Sequence, residues 1–177
     1  MAIRIRNRQV QSSQLSGTEK TPNDILSLAR SHGLSTSPLD LTALCQMLGI
    51  GISYLPLDNN LSGRLIHDGS RWVINVNALH HVRRQRFTIA HELAHYFLHR
   101  DSQDNYEDLT FHRGKCYTQK ELEADNFAGA LLMPKDKLIE FVNENSNKLD
   151  EIAEYFGTSS IAVKKRADVI RNKSYEF

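Results

Sequence analysis

Two histidines lie one helical turn apart, His91 and His95, and this spacing constrains the fold and function of the 177-residue chain more than any other feature. Apolar residues recur at helical spacing around them, which predicts an amphipathic helix over about residues 82–100. Because positions four apart lie on one face of a helix, both imidazoles can reach a single metal ion. Glu92 points away from them by about a quarter turn, which suits a base acting on water better than a third ligand. The stretch therefore predicts a helix that carries half of a divalent-metal site.

Composition limits the class of protein. Hydrophobic residues make up 40% and charged residues 24% of the chain, as in ordinary soluble globular proteins. The net charge of +1 provides no overall basic field, so nucleic acid is not expected as the main partner. Cys45 and Cys116 have no paired spacing, which argues against a disulfide framework and against a cysteine-rich zinc knuckle. No signal peptide and no apolar run of about 18 residues is present, so we expect a cytoplasmic protein without a membrane partner.

The N-terminal part predicts a tail and two helices. Residues 1–20 are polar and lack periodicity, which favours a flexible tail. Thr21 is followed by a proline and an acidic residue, as is typical of a helix N-terminus. A second helix is expected to begin between Ser37 and Asp40 and to end at Gly49.

Three short apolar runs separated by turn residues predict strands over residues 52–57, 61–66 and 72–76. Together they indicate a small antiparallel sheet beside the metal-bearing helix, and the whole chain an α+β fold. The sheet either covers the core or offers an edge strand to which an extended peptide adds through backbone hydrogen bonds.

The region after the histidine helix predicts a loop and a second functional helix. Residues 101–118 show no clear period, and a loop of that length is a candidate lid. Apolar residues then recur at helical spacing over residues 121–133, and Pro134 ends the pattern. Glu121 and Asp125 lie one turn apart on the flank of this helix.

A helix, a turn and a second helix are expected over residues 149–168, with Gly157 at the turn. The predicted organisation is thus a tail over 1–20, a domain over 21–145 that carries the candidate metal site, and a helix-turn-helix-like segment over 146–177 packed on that domain.

Two basic clusters have different interpretations: the first is interpreted as a solvated face, and the helix that carries the second is interpreted as packing on the domain or docking a partner. The first could alternatively hold substrate and consists of Arg83, Arg84 and Arg86. The second lies on the last helix and includes Lys164, Lys165 and Arg166. DNA is retained as an alternative partner but is not favoured, because the base-facing positions of that helix carry few residues that read bases.

Two histidines leave a zinc site incomplete, since catalytic zinc usually has three protein ligands. One zincin class supplies a third histidine after a glycine, but Leu98 and Asp101 occupy those positions here. Another class takes a glutamate from a following helix, and Glu121 fits because a lone carboxylate beside an apolar stripe is costly to bury. Asp125 can accept the free ring N–H of a ligating histidine. Glu123 is expected on another face of the helix, in solvent. The alternative interpretation of Glu121 and Asp125 is that they too are exposed helix acids.

A family resemblance is carried by three segments, RFTIAHELAHY, ELEADNFA and LLMP. Together they resemble the ImmA/IrrE family of zinc metallopeptidases, over about residues 39–171. The resemblance implies a zincin-like fold, Zn²⁺ as cofactor, and Glu92 as the base. The zinc ligands that it implies are His91, His95 and Glu121. Family members often have glycine where this chain has Ala94.

The resemblance also implies an endopeptidase that cuts or inactivates a helix-turn-helix type repressor. Zinc lowers the pKa of bound water toward ~7, and Glu92 would accept the water's proton and pass it to the leaving amine. The oxyanion-stabilising residue is left open, and the candidates, each more often structural, are Tyr96, His99, His112 and Tyr117. The alternative function is a zinc-containing regulator that binds a partner protein or DNA without cleavage.

Overall fold

The computed structural model describes residues 21–100, 109–112 and 118–172. Within these ranges the chain has an α+β fold with one mixed sheet. The strands are β1 (Gly51–Leu55), β2 (Leu61–His67), β3 (Trp72–Asn77) and β4 (Leu109–His112). The helices are α1 (Pro22–Ser31), α2 (Leu41–Met47), α3 (Val82–Leu98), α4 (Gln119–Leu132), α5 (Lys135–Glu144), α6 (Leu149–Phe156) and α7 (Ser160–Asn172). The predicted tail over residues 1–20 lies outside the described residues.

Both N-terminal helices begin where the sequence predicts. The Thr21 hydroxyl accepts from the backbone N–H of Asp24 at 3.2 Å, and the Asp24 carboxylate accepts from the Thr21 N–H at 2.9 Å. Asp40 caps α2 by accepting from the Ala43 N–H at 2.9 Å. These reciprocal bonds satisfy N–H groups that have no partner inside the helix. Helix α1 packs on α4, and α2 packs on β1 and α3.

The sheet is mixed, so the prediction of an antiparallel sheet is wrong for one strand pair. The spatial order is β1-β3-β2-β4, with β2 antiparallel to both β3 and β4 but β1 parallel to β3. The β2–β3 hairpin is as predicted, and its turn is held by the Asp68 carboxylate, which accepts from the N–H groups of Ser70 and Arg71. The connection after β1 carries the chain past β3 to β2. β1 and β3 both run in the direction opposite to β2, so they are parallel to each other.

Strand β4 lies within residues 101–118, for which the sequence predicts an irregular loop. Three of its four residues pair with β2 and extend the sheet on that side, so part of this region is regular structure. Such a short strand has too few residues to show a reliable alternation of apolar and polar positions. The remaining positions of the predicted lid lie outside the described residues.

Helix α3 lies between the sheet and α4, which places its middle turns in the core. Gly63 on β2 allows this close packing. A Cβ atom at this position would lie 2.4 Å from Thr88 Cγ2 and 2.7 Å from the Asn75 carbonyl oxygen, both shorter than van der Waals contact. It would also lie 3.6 Å from a carboxylate oxygen of Glu92. Because Gly63 has no side chain, α3 and Glu92 can pack directly against the sheet.

The C-terminal segment forms the predicted helix, turn and helix. Gly157 ends α6 with a φ of 64°, in the left-handed region that favours glycine. Ser159 caps α7 by accepting from the Ala162 N–H at 3.2 Å. Helix α7 packs on α6 and α4 through residues that include the buried Val163. Lys164 and Lys165 are exposed.

One arginine from each basic cluster turns inward, so the interpretation of the first cluster as a solvated face is wrong for Arg86. Arg86 is half-buried and donates to the carbonyl oxygens of Leu39 at 2.9 Å and Gly157 at 3.1 Å. Arg166 is 6% exposed and donates to the Met133 carbonyl at 3.2 Å. Each guanidinium satisfies backbone oxygens at the ends of other elements, contacts that no local periodicity reveals.

Across the described residues, no helix combines the length and the apolar character needed to cross a membrane.

Candidate metal centre

The two histidines of the motif are buried inside the molecule. His91 is 2% exposed, His95 is 1% exposed and Glu92 is fully buried. All three lie in the middle of α3, and the facing surface is the first half of α4. Thr118 caps α4 by accepting from the Glu121 N–H at 3.3 Å, which places Glu121 in the first turn. The close packing of α3 on α4 thus brings together side chains 30 positions apart in the chain, His91 and Glu121.

Three donor atoms converge between these helices. The Nε2 atoms of His91 and His95 lie 3.0 Å apart. One carboxylate oxygen of Glu121 lies 3.2 Å from His91 Nε2, and the other lies 3.4 Å from His95 Nε2. Donors bonded to a tetrahedral zinc ion at 2.0–2.1 Å are separated by about 3.3 Å. The spacing of this donor set therefore fits a single tetrahedral metal ion.

The electrostatics of the cluster also favour a cation. Burial opposes a charge on His91, but its hydrogen bonds to the Asp125 and Glu121 carboxylates outweigh burial and raise the pKa of His91 to about 9. Burial lowers the pKa of His95, with the neighbouring His91 charge acting in the same direction. Burial works against ionisation of Glu121, yet the two imidazoles hold its pKa well below its usual range. The carboxylate is thus ionised and shared between two imidazoles, an arrangement that a metal ion can replace.

Asp125 lies against the far side of the first ligand. Its Oδ1 atom is 2.9 Å from His91 Nδ1, one turn along α4 from Glu121. A hydrogen bond from Nδ1 leaves the Nε2 lone pair of His91 directed at the donor cluster. Asp125 therefore lies where the sequence analysis predicts a partner for a ligating histidine.

Glu92 differs from its neighbours because its carboxylate oxygens lack well-formed hydrogen bonds. Neither carboxylate oxygen has a hydrogen-bond partner of good geometry among the described residues, although the backbone of Leu65 is close enough to lower its pKa somewhat. Burial, assisted by the charge of Glu121, raises the pKa of Glu92 to about 8. A buried carboxyl group without partners is destabilising, and such groups concentrate at functional sites.

His99 and Glu123 extend the cluster, which the sequence analysis did not predict. His99 is 5% exposed, and its Nδ1 atom lies 2.9 Å from His95 Nδ1. On its other side, His99 Nε2 lies 3.2 Å from Glu123 Oε2. The expectation that Glu123 lies in solvent holds only in part: its side chain is 36% exposed, and His99, one turn beyond the motif, reaches it. The available signal was the spacing of four residues, which continues from His95 to His99.

The other candidates for oxyanion stabilisation are not brought to the donor cluster by any described contact. The ring of Tyr96 packs edge-on against Trp72 at a centroid distance of 5.9 Å, and the Arg100 guanidinium lies 4.5 Å from its centroid. Tyr96 thus belongs to an aromatic cluster. The side chain of His112 and the whole of Tyr117 lie outside the described residues.

Comparison with known protein families identifies the chain. The model of the IrrE N-terminal-like domain, Peptidase_M78, matches residues 45–168, which include the three donors and Glu92. The chain belongs to the ImmA/IrrE metallopeptidase family. The resemblance inferred from the three sequence segments is thereby confirmed, and family membership implies a metallopeptidase.

A solved structure with the same fold is a Mycobacterium tuberculosis transcriptional regulator. It superposes with a TM-score of 0.59 at 18% sequence identity, and the match covers 82% of this chain and 45% of that one. This ImmA/IrrE family chain thus spans less than half the length of that regulator, and the likeness concerns the fold. No curated protein matches the sequence.

Proposed function

We propose that this protein is a zinc-dependent endopeptidase that cuts a regulatory protein. The observation that carries the proposal is the position of Glu92, a buried carboxyl group without a hydrogen-bond partner among the described residues, directly beside three converging metal donors. Structural metal sites use all their positions for protein ligands, whereas catalytic sites have three ligands and one open position. Three donors with an adjacent unpaired base are the arrangement that hydrolysis of a peptide bond requires.

Zinc is the proposed metal because of the donor chemistry. Two imidazole nitrogens and one carboxylate suit Zn²⁺, whereas calcium and magnesium prefer oxygen ligands throughout. His91, His95 and Glu121 would hold the ion. Bound zinc would supply Lewis acidity, which polarises the scissile carbonyl and lowers the pKa of a coordinated water.

The protein's own residues perform the remaining work. Asp125 holds the proton on His91 Nδ1 and so keeps Nε2 free as a donor. A carboxylate oxygen of Glu92 accepts a proton from the attacking water and delivers it to the amine nitrogen of the departing peptide. Burial raises the pKa of Glu92 above that of an ordinary carboxyl group, which favours return of the proton to the leaving amine.

The proposed substrate is a helix-turn-helix type repressor bound in an extended conformation. The choice of repressor is supported by the family resemblance of the sequence. An extended peptide is supported by the sheet: β4 is the outermost strand described on the side of β2, the strand on which Gly63 faces Glu92. Backbone hydrogen bonds to such an edge would align a peptide without selecting its side chains.

The test compares wild type with Glu92→Gln, using Glu154→Gln on the exposed face of α6 as the charge-matched control. Each protein is loaded with Zn²⁺, its metal content is measured, and it is incubated with a proteome-derived peptide library. New peptide termini are identified by mass spectrometry. We expect equal zinc content in all three proteins and cleavage that falls by 10²–10⁴-fold in Glu92→Gln alone.

The repressor is tested by co-expression. Candidate helix-turn-helix repressors should disappear with wild type and the Glu154→Gln control but persist with Glu92→Gln. Cleavage that is unaltered in Glu92→Gln would exclude the proposed base. Loss of repressor function without any cleavage would favour the alternative, a zinc-containing regulator that acts by binding.

A further inference from the structure

The imidazole of His99 links the metal donor His95 to an acidic side chain on the other helix. We propose that His99, oriented by Glu123, is a positioning residue that sets the tautomer and ring orientation of His95. The inference rests on the metal binding contained in the proposed function. It concerns a residue outside both the histidine motif and the donor set.

The direction of the hydrogen bonds follows from the donor geometry. His95 Nε2 faces His91 and Glu121, so it must be unprotonated in order to bind a metal ion. A neutral imidazole has a single N–H, which for His95 then lies on Nδ1. That N–H points at His99 Nδ1, 2.9 Å away, which must accept it.

The same argument fixes the tautomer of His99. If the Nδ1 atom of His99 accepts, its own proton lies on Nε2, and that N–H donates to Glu123 Oε2 at 3.2 Å. Glu123 is itself held by the amide of Gln119, which donates to the other carboxylate oxygen at 3.0 Å. Bonds therefore run in one direction from His95 through His99 to Glu123, and each donor meets an acceptor.

His99 is difficult to replace as a hydrogen-bond acceptor because both imidazoles are buried. His95 is 1% exposed and His99 is 5% exposed, so bulk water cannot readily take the place of the lost acceptor. Without it, the Nδ1–H of His95 would be buried and unpaired, and the ring could lower its energy by exchanging tautomers, which would remove the metal-binding lone pair. Asp125 occupies the corresponding position behind His91 at the same distance of 2.9 Å. Each imidazole donor thus has its own partner, one a carboxylate and one a histidine.

Two amide substitutions separate the contacts of His99. In His99→Asn the amide oxygen takes the place of Nδ1, so the bond from His95 is retained and the contact with Glu123 is lost. In His99→Gln the amide lies at the position of Nε2, so the contact with Glu123 is retained and the bond from His95 is lost. The pair differs by one methylene and involves the same functional group.

The affinity for Zn²⁺ is measured by competition with a chromophoric chelator, and the thermal stability of each metal-free variant is measured alongside. We expect His99→Gln to bind Zn²⁺ about 10–100-fold more weakly than wild type, as for other partners of metal-bound histidines. His99→Asn should remain within about threefold of wild type. Equal affinities in both variants, whether reduced or not, would overturn the proposal, because a role in packing does not distinguish the two ends of the ring.

A second measurement applies even if neither variant folds. In wild type loaded with Zn²⁺, nitrogen-15 NMR of the imidazoles should find His95 protonated on Nδ1 and His99 protonated on Nε2. A His99 ring protonated on Nδ1 would overturn the proposal. A wild-type protein that binds no Zn²⁺ would instead refute the metal site of the proposed function, so the two failures are distinguishable.

Discussion

Helices α3 and α7 both combine charged residues with an apolar stripe, yet they differ in how many of those residues are buried. Helix α3 buries His91, Glu92 and His95 almost completely. Helix α7 leaves Lys164 and Lys165 in solvent and buries a single charge, that of Arg166. Burying a polar group is costly unless it is paired, so a helix that buries several in succession is not built for stability alone. The difference marks α3, and not α7, as the helix that bears the candidate metal centre.

Both helices depend on α4 for their partners. The first turns of α4 carry Glu121 and Asp125, which complete the cluster on α3. Its C-terminal end presents the Met133 carbonyl, which accepts from Arg166. One helix thus supports chemistry at its start and packing at its end, and substitutions at the two ends should have different effects.

The largest expected effect is on the metal donor from α4. Glu121→Gln retains the shape of the side chain but removes the anionic ligand, so the affinity for Zn²⁺ should fall by more than about 100-fold, beyond the loss caused by removing an outer partner. Chelator competition measures the change. Glu154→Gln should bind as wild type does, and a Glu121→Gln variant that does the same would refute the donor assignment.

The contact between α3 and the sheet should be the next most sensitive. Gly63→Ala places a methyl group 2.4 Å from Thr88 Cγ2 and 2.7 Å from a backbone oxygen, so the free energy of unfolding should decrease by about 2–3 kcal/mol. Urea denaturation measures it. Adding Thr88→Ser removes one of the two clashes and should restore part of the loss. A Gly63→Ala protein as stable as wild type would show that α3 can withdraw from β2 at no cost.

Arg166 on α7 should contribute less to the free energy of unfolding than the packing at Gly63. Arg166→Met retains the aliphatic part of the side chain but loses the bond to the Met133 carbonyl, which predicts a decrease of about 1.5 kcal/mol in the free energy of unfolding. The matched control is Lys165→Met on the exposed face, expected within about 0.5 kcal/mol of wild type. Equal effects of the two substitutions would remove the distinction between buried and exposed charges on α7.

The smallest expected effect on stability comes from Glu92. In the metal-free protein, Glu92→Gln exchanges a buried carboxyl group without a partner among the described residues for a neutral amide, so stability should be unchanged or higher by up to about 1 kcal/mol. Denaturation in the presence of a chelator measures it. A large loss of stability would mean that Glu92 is held for structural reasons, which would weaken the contrast between α3 and α7.

Much of the local structure could be predicted because it depends on residues close together in the chain. The capping residues Thr21 and Asp40, the turn at Gly157 and the spacing of His91 and His95 follow rules that span four residues or fewer. Glu121 could be proposed as a ligand from its place beside an apolar stripe, and the family resemblance implies the same role. Nothing in its own helix, however, specifies the residue that faces it.

The sequence by itself determined which segments are helical, which residues can bind a metal ion, and to which family the chain belongs. Only the tertiary structure decided that β1 lies beside β3, that Arg86 and Arg166 turn inward, and that His99 connects His95 to Glu123. The physical reason is that these contacts join distant parts of the chain. Periodicity records which face of an element is buried, but it carries no information on what that face will meet.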